Sequence, residues 1–196
     1  MLSSVCVYCG SSPGTDPKFI QLATDLGSAI GLADVELVYG GGTKGLMGAV
    51  ANGAFAAGGK VTGIIPEFLI EKEASREALT ELSELIVTKD MHERKHTMFE
   101  RAEAFVTLPG GIGTLEEVVE IMTWAQLGRH DKPIIIANWN GYWDPFASLL
   151  QHMDIGGFLH SSDSIKPVIV ESVQQIMEVL ASSPAGAGAD SLKEVL

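Results

Sequence analysis

Short, continuously apolar segments, each running into a glycine-rich turn and then a helical pattern, constrain this chain more than any other feature. Val5–Tyr8 ends at Cys9-Gly10-Ser11-Ser12, Leu37–Tyr39 at Gly40-Gly41-Gly42, and Phe105–Leu108 at Pro109-Gly110-Gly111. A strand with no polar alternation is buried on both faces, and strands separated by helices belong in a parallel sheet covered on both sides. The fold class is therefore α/β. Sheets of this kind bind ligands at the carboxyl ends of their strands. All three glycine turns lie at such ends, and their convergence says more than any one of them.

The remaining elements fit the same alternation. Asp16-Pro17 supplies a cap and a first-turn proline for a helix to about Leu32. A second helix covers about Leu46–Ala57, and Lys60–Ile65 is a strand stopped by Pro66. Residues 67–83 read as a loop with some helix, and Leu85–Thr88 as a short strand. Met91–Arg101 is helical, a long helix follows Gly111 to about Leu127, and Pro133–Ala137 is a strand. Asp144-Pro145 opens a helix through Met153, and Val168–Val170 and Ser172–Leu180 close the series. One domain over residues 1–180 is expected, with the Ala/Gly/Ser-rich stretch from Ala181 opening a loose tail to residue 196.

The 196 residues, 46% of them hydrophobic, suffice for one domain with a full core. A formal net charge of −12 repels nucleic-acid backbones and anionic membranes, so neither is expected as a partner. A phosphate-bearing small molecule is still admitted if backbone amides and a few local cations hold it. The two cysteines, Cys6 and Cys9, are spaced as C-x-x-C. On a strand their Cα atoms stand roughly 10 Å apart, beyond disulfide reach. No second cysteine pair completes a zinc site, and two ordinary thiols fit a reducing cytosol. No signal-peptide pattern or membrane-length apolar run is present, so a cytoplasmic location is expected.

The segment Pro109-Gly110-Gly111-Ile112-Gly113-Thr114-Leu115-Glu116-Glu117 carries the most chemistry. Glycines allow close backbone approach, and free amides at a helix start can hold a phosphate. Glu117 has two readings. Thr114-x-x-Glu117 matches a capping box, which would fold the glutamate back onto its own helix. Alternatively it faces the cleft as a base, a nucleophile or a stabiliser of positive charge.

Asp90-Met91-His92-Glu93-Arg94-Lys95-His96 contains the zincin pattern His92-Glu93-x-x-His96. Two cations beside the metal and the lack of a third ligand argue against zinc. On a helical wheel Met91, Met98 and Ala102 form an apolar stripe, with Lys95 inside it and Arg94 on its flank. Both cations could snorkel to water, or at least one could face an anion in the cleft. Gly40-Gly41-Gly42-Thr43-Lys44-Gly45-Leu46-Met47-Gly48 resembles a phosphate loop but has neither Walker A spacing nor a dinucleotide fingerprint. Met47 reads as helix packing.

Together these segments resemble the Lonely Guy family of cytokinin-activating phosphoribohydrolases, often labelled "lysine decarboxylase". The resemblance rests on Gly40-Gly41-Gly42-x-x-Gly45-Leu46-Met47-Gly48, Met91-His92-Glu93-Arg94-Lys95 and Pro109-Gly110-Gly111-x-Gly113-Thr114-x-x-Glu117. It continues through Thr123-Trp124-Ala125-Gln126-Leu127-Gly128 and His130-Asp131-Lys132-Pro133, and spans about residues 3–180. It implies a Rossmann-like three-layer sandwich, a homodimer, and hydrolysis of adenosine or cytokinin riboside monophosphates. Arg94 and Glu117 are then the catalytic pair. Gly10, Ser11, Gly41, Gly42, Glu73, Arg94, Lys95, Pro109, Gly110, Gly111, Ile112, Gly113, Thr114, Glu116, Glu117 and Thr123 are the expected substrate contacts. Ile112 stands where plant relatives often have tyrosine. No metal or cofactor is expected, and no lysine sits in a setting that would suit pyridoxal phosphate. A non-catalytic nucleotide sensor, or a general nucleoside monophosphate nucleosidase, are the alternative readings.

Overall fold

The computed structural model describes residues 2–75, 79–80, 82–159 and 167–183. Seven strands form one sheet in the order β4-β3-β2-β1-β5-β6-β7, and every neighbouring pair is parallel. They are β1 (Ser4–Tyr8), β2 (Glu36–Tyr39), β3 (Val61–Pro66), β4 (Glu84–Thr88), β5 (Phe105–Thr107), β6 (Ile134–Ala137) and β7 (Val168–Val170). The described helices are α1 (Lys18–Leu32), α2 (Gly45–Ala56), α3 (Glu67–Glu73), α4 (Met91–Arg101), α5 (Ile112–Gln126), α6 (Asp144–Ile155) and α7 (Val173–Ser182). The architecture is the Rossmann-like three-layer sandwich that the sequence leads one to expect.

All five residues of β1 are buried, as its unbroken apolar run requires. Val5 and Val7 pack with α1, α2 and α7 on one face, whereas Cys6 and Tyr8 pack with α4, α5 and α6 on the other. On the first face, α1 and α2 touch backbone to backbone. A Cβ on Gly27 would fall 2.0 Å from the Val50 carbonyl oxygen, and one on Gly53 would fall 2.3 Å from that of Thr24. The chain builds outward from β1 to β4 on one side, then crosses to β5 and builds outward again. The β1/β5 boundary is therefore the switch point, where adjacent loops diverge and leave a crevice.

One local expectation shifts and another is made definite. Helix α1 begins at Lys18, with Asp16 still accepting the Lys18 amide through its carboxylate at 2.9 Å. Residues 67–73 form a helix directly after Pro66, and none of them is buried. The stretch read as a loose tail lies outside the described residues from 184 onward; Ala181 and Ser182 still belong to α7. Both cysteines are buried and unpaired. No described helix is long and apolar enough to cross a membrane.

Candidate active site

The three glycine turns meet at the switch point. The Gly10 amide donates to the Pro109 carbonyl at 3.1 Å, and the Gly10 carbonyl accepts from the amides of Leu46 and Met47 at 3.0 and 3.3 Å. Gly45 adopts a left-handed φ of 58°, and a Cβ there would lie 2.4 Å from the Ser11 carbonyl carbon. The start of α2, which looks like a phosphate loop in the sequence, is thus occupied by the chain's own backbone.

The start of α5 is different. Its N-cap is Gly111, with no side-chain cap and no acidic residue in the first turn. The amides of Ile112, Gly113 and Thr114 precede the first acceptor within the helix, since Leu115 is the first to bond back, to Gly111 at 3.0 Å. A Cβ on Gly111 or Gly113 would meet nothing within 4 Å. These amides border a cavity of about 250 Å³.

Arg94 reaches that cavity from α4. Asp90 caps this helix by accepting the Glu93 amide at 2.8 Å, and Glu93 in turn accepts the Lys89 amide at 2.8 Å. Arg94 is only 6% exposed. Its Nε donates to the Ile64 carbonyl at 3.1 Å and its Nη2 to the Gly40 carbonyl at 2.9 Å. A Cβ on Gly40 would stand 2.0 Å from Nη2, so only glycine leaves room for this contact. Nη1 lies 3.9 Å from Glu117 Oε1.

Glu117 sits in the second turn of α5 and is buried. Because α5 starts at Ile112, Thr114 is already inside the helix, and the capping-box reading of Thr114 and Glu117 does not apply. Burial pushes the Glu117 carboxyl up to about 7, while Arg94 pulls it down and Glu116 adds to the rise. The cavity thus pairs a poised carboxyl with a fixed cation, one helical turn and a half from a set of open amides.

Comparison with known proteins shows which family the chain belongs to. A family model described as "Possible lysine decarboxylase" matches residues 47–180. A cytokinin riboside 5′-monophosphate phosphoribohydrolase of Rhodococcoides fascians is 42% identical over 180 residues, covering 91% of this chain and 89% of the relative. A protein of the same name from Arabidopsis thaliana is 40% identical over 168 residues, covering 86% and 76%. The chain belongs to the Lonely Guy family.

Among solved structures, a molybdenum cofactor binding protein from Rippkaea orientalis superposes with a TM-score of 0.67 at 22% identity, over 93% of this chain and 97% of that one. This likeness concerns the fold alone.

The family motifs converge unevenly on the cavity. Gly10, Ser11, Glu73, Arg94, Gly111, Ile112, Gly113, Thr114 and Glu117 all line it. Pro109 and Gly110 line a neighbouring cavity of about 260 Å³ that shares Gly10, Ser11 and Gly111. Gly41 and Gly42 are behind the wall, against Ile65 and Met47 respectively. Lys95 turns away to Glu116 and Glu120, the latter at 3.1 Å, and ties α4 to α5. Thr123 is exposed on α5, eleven residues beyond Ile112 and so roughly 16 Å along the axis.

Sequence reading missed Val7, Tyr8, Cys9, Gly40, Met47 and Met98, which complete the lining. The only available signal for Cys9 and Gly40 was their position at strand ends. His92 and His96 are exposed, Glu93 is spent on the helix cap, and among the described residues no group of three or more His, Cys, Asp or Glu side chains could hold a metal ion. The family block at His130–Pro133 serves the fold. Buried Lys132 donates to the Phe99 carbonyl at 2.8 Å and lies 3.9 Å over the Phe99 ring.

Proposed function

We propose that this chain hydrolyses the N-glycosidic bond of nucleoside 5′-monophosphates, releasing a free base and ribose 5-phosphate. Its substrates are adenosine 5′-monophosphate and N6-modified forms, including cytokinin riboside 5′-monophosphates. The observation that carries this reading is the buried Glu117, 3.9 Å from Arg94, in a cavity bordered by the uncapped start of α5. The names of the relatives in Rhodococcoides fascians and Arabidopsis thaliana give the same reaction for those proteins.

In the proposed mechanism the 5′-phosphate rests on the amides around Gly111–Thr114, where the helix dipole favours an anion. Glycine at 111 and 113 supports this, because nothing in the protein itself fills the space beside them. Glu117 lies five residues into α5, about 7.5 Å along the axis, which suits the sugar end of the same molecule. As the C1′–N bond lengthens, its electron pair leaves with the base and positive charge develops on the ribose. The Glu117 carboxylate stabilises that charge and accepts a proton from the attacking water, whose oxygen bonds to C1′. The departing base takes up a proton from solvent, and Glu117 returns to solvent the proton it took from water, so the net change is addition of one water. Arg94, held by two carbonyls, fixes Glu117 and faces the anionic substrate.

We also place the chain in the cytoplasm, where two unpaired thiols are at home, and assemble it as a homodimer. The deciding experiment incubates the protein with AMP and with an N6-prenylated analogue, and follows the free base by chromatography. Wild type should release base from both. Glu117→Gln should keep nucleotide binding but lose turnover by about 10²- to 10⁴-fold. Binding of AMP without any release of adenine would show a nucleotide sensor instead.

A further inference from the structure

We propose that Tyr142 is a positioning residue for phosphate binding, acting through the Gly110–Gly111 peptide from outside the cavity. This rests on the placement of the phosphate at the start of α5. The Tyr142 hydroxyl donates to the Gly110 carbonyl oxygen at 2.7 Å. Tyr142 lines the second cavity and not the one that holds Arg94 and Glu117.

The peptide plane turns this contact into a directional device. No peptide bond is cis among the described residues, so the Gly110 carbonyl and the Gly111 N–H point opposite ways. With the oxygen bonded to Tyr142 in one cavity, the N–H points away from Tyr142, and Gly111 also lines the other cavity. A hydrogen bond on a carbonyl oxygen withdraws density from the amide nitrogen and strengthens its N–H as a donor. Tyr142 therefore both orients the Gly111 N–H and polarises it. Gly110 has little freedom to answer otherwise, since even a Cβ there would meet Thr114 Oγ1 at 2.2 Å and the Gly10 amide nitrogen at 2.9 Å.

Burial does not explain the bond. Tyr142 is 40% exposed, so its hydroxyl could be satisfied by water. Instead, a built turn presents it. Asn138, itself buried, accepts the Trp143 amide at 2.7 Å and donates to Asp144 at 2.7 Å. Asn140 and Gly141 adopt left-handed φ values of 51° and 72°. The ring is then braced edge-on by Phe19 at 5.5 Å and by Trp143 at 5.1 Å. The result is a phenol fixed at two sides, with its only donor committed to the loop.

Tyr142→Phe removes that donor and little else. The expected result is a rise of about three- to tenfold in KM for AMP, and in Kd for ribose 5-phosphate and inorganic phosphate measured by calorimetry. kcat and the melting temperature should stay near wild type. Incorporating 3-fluorotyrosine at position 142, a stronger donor, should move KM and Kd the opposite way, which a merely structural role would not do. Unchanged phosphate affinity in both variants, or a fall in kcat at constant KM, would overturn the proposal. The binding arms do not require turnover. If the wild type bound ribose 5-phosphate but released no base from AMP, the reaction assignment would fail while the role of Tyr142 was still being read.

Discussion

At the scale of single residues, the site depends on a carboxyl held near its point of ionisation. Glu117 is raised from 4.5 to about 7, chiefly by burial. In the unfolded chain the group ionises near 4.5, so the folded state binds the extra proton across the interval between these values. The associated stability, on the order of 3 kcal/mol, is fully present below about pH 4.5 and is lost as pH rises through about 7. The ionised form that the mechanism requires grows over the same interval. We therefore expect kcat/KM for AMP to rise with pH on an apparent pKa near 7, while denaturant stability falls. In Glu117→Gln the fall in stability over this window should disappear. A flat rate profile between about pH 5 and 8 would remove the carboxylate from the rate-determining chemistry. Part of this was legible in the sequence: the family motifs single out Arg94 and Glu117. The contacts that fix Arg94 were not. Its partners are the carbonyls of Ile64 and Gly40, 30 and 54 residues away, and a main-chain acceptor carries no side-chain signature.

At the scale of elements, the strongly patterned segments were read to within a residue or two, because an unbroken apolar strand or a one-faced helix leaves few alternatives. What stayed coarse or open has physical reasons. Helix α3, expected only as some helix within 67–83, buries no residue, so no apolar face marks its bounds. Of the two readings of Glu117, the capping box is excluded by the start of α5 at Gly111, while at α4 Asp90 accepts the Glu93 amide and Glu93 the Lys89 amide. The close approach of α1 and α2 was equally hidden, since glycines within a helix pattern look only like weak helix formers. Here they set the distance between two helices. Gly27→Ala would drive its methyl into the Val50 carbonyl, 2.0 Å from an undisplaced Cβ. The helices must then separate, at a cost of about 3 kcal/mol or more. The melting temperature should drop by roughly 10 °C, measured by calorimetry. Since α2 also receives the Gly10 carbonyl, AMP affinity should weaken with it. A variant as stable as wild type would mean that the two helices adjust more freely than their packing implies.

For the whole molecule, the distribution of exposed apolar side chains points to assembly. Ile112 and Val119 on α5 and Leu127 at its C-cap are 82%, 43% and 69% exposed, at intervals of seven and eight residues that keep them on one face. Thr123 falls on the same face. Ile155 and Phe158 are 80% and 78% exposed at and beyond the end of α6. In the proposed homodimer these side chains are expected to be covered by the second copy, the same face meeting itself across a closed interface. The position of Thr123 adds a second argument. Roughly 16 Å along α5 from Ile112, it is too far to share a nucleotide held at its own helix start. In the proposed homodimer, the substrate contact that the family resemblance implies for Thr123 would be made to a molecule bound by the second copy. Light scattering on the purified chain should give twice the 20.8 kDa of one copy. Leu127→Glu should shift the species toward one copy and, in the same preparations, raise KM for AMP, because each cavity would lose what its neighbour contributes. A fully active monomer would dismiss both the interface and the contribution of Thr123 across it.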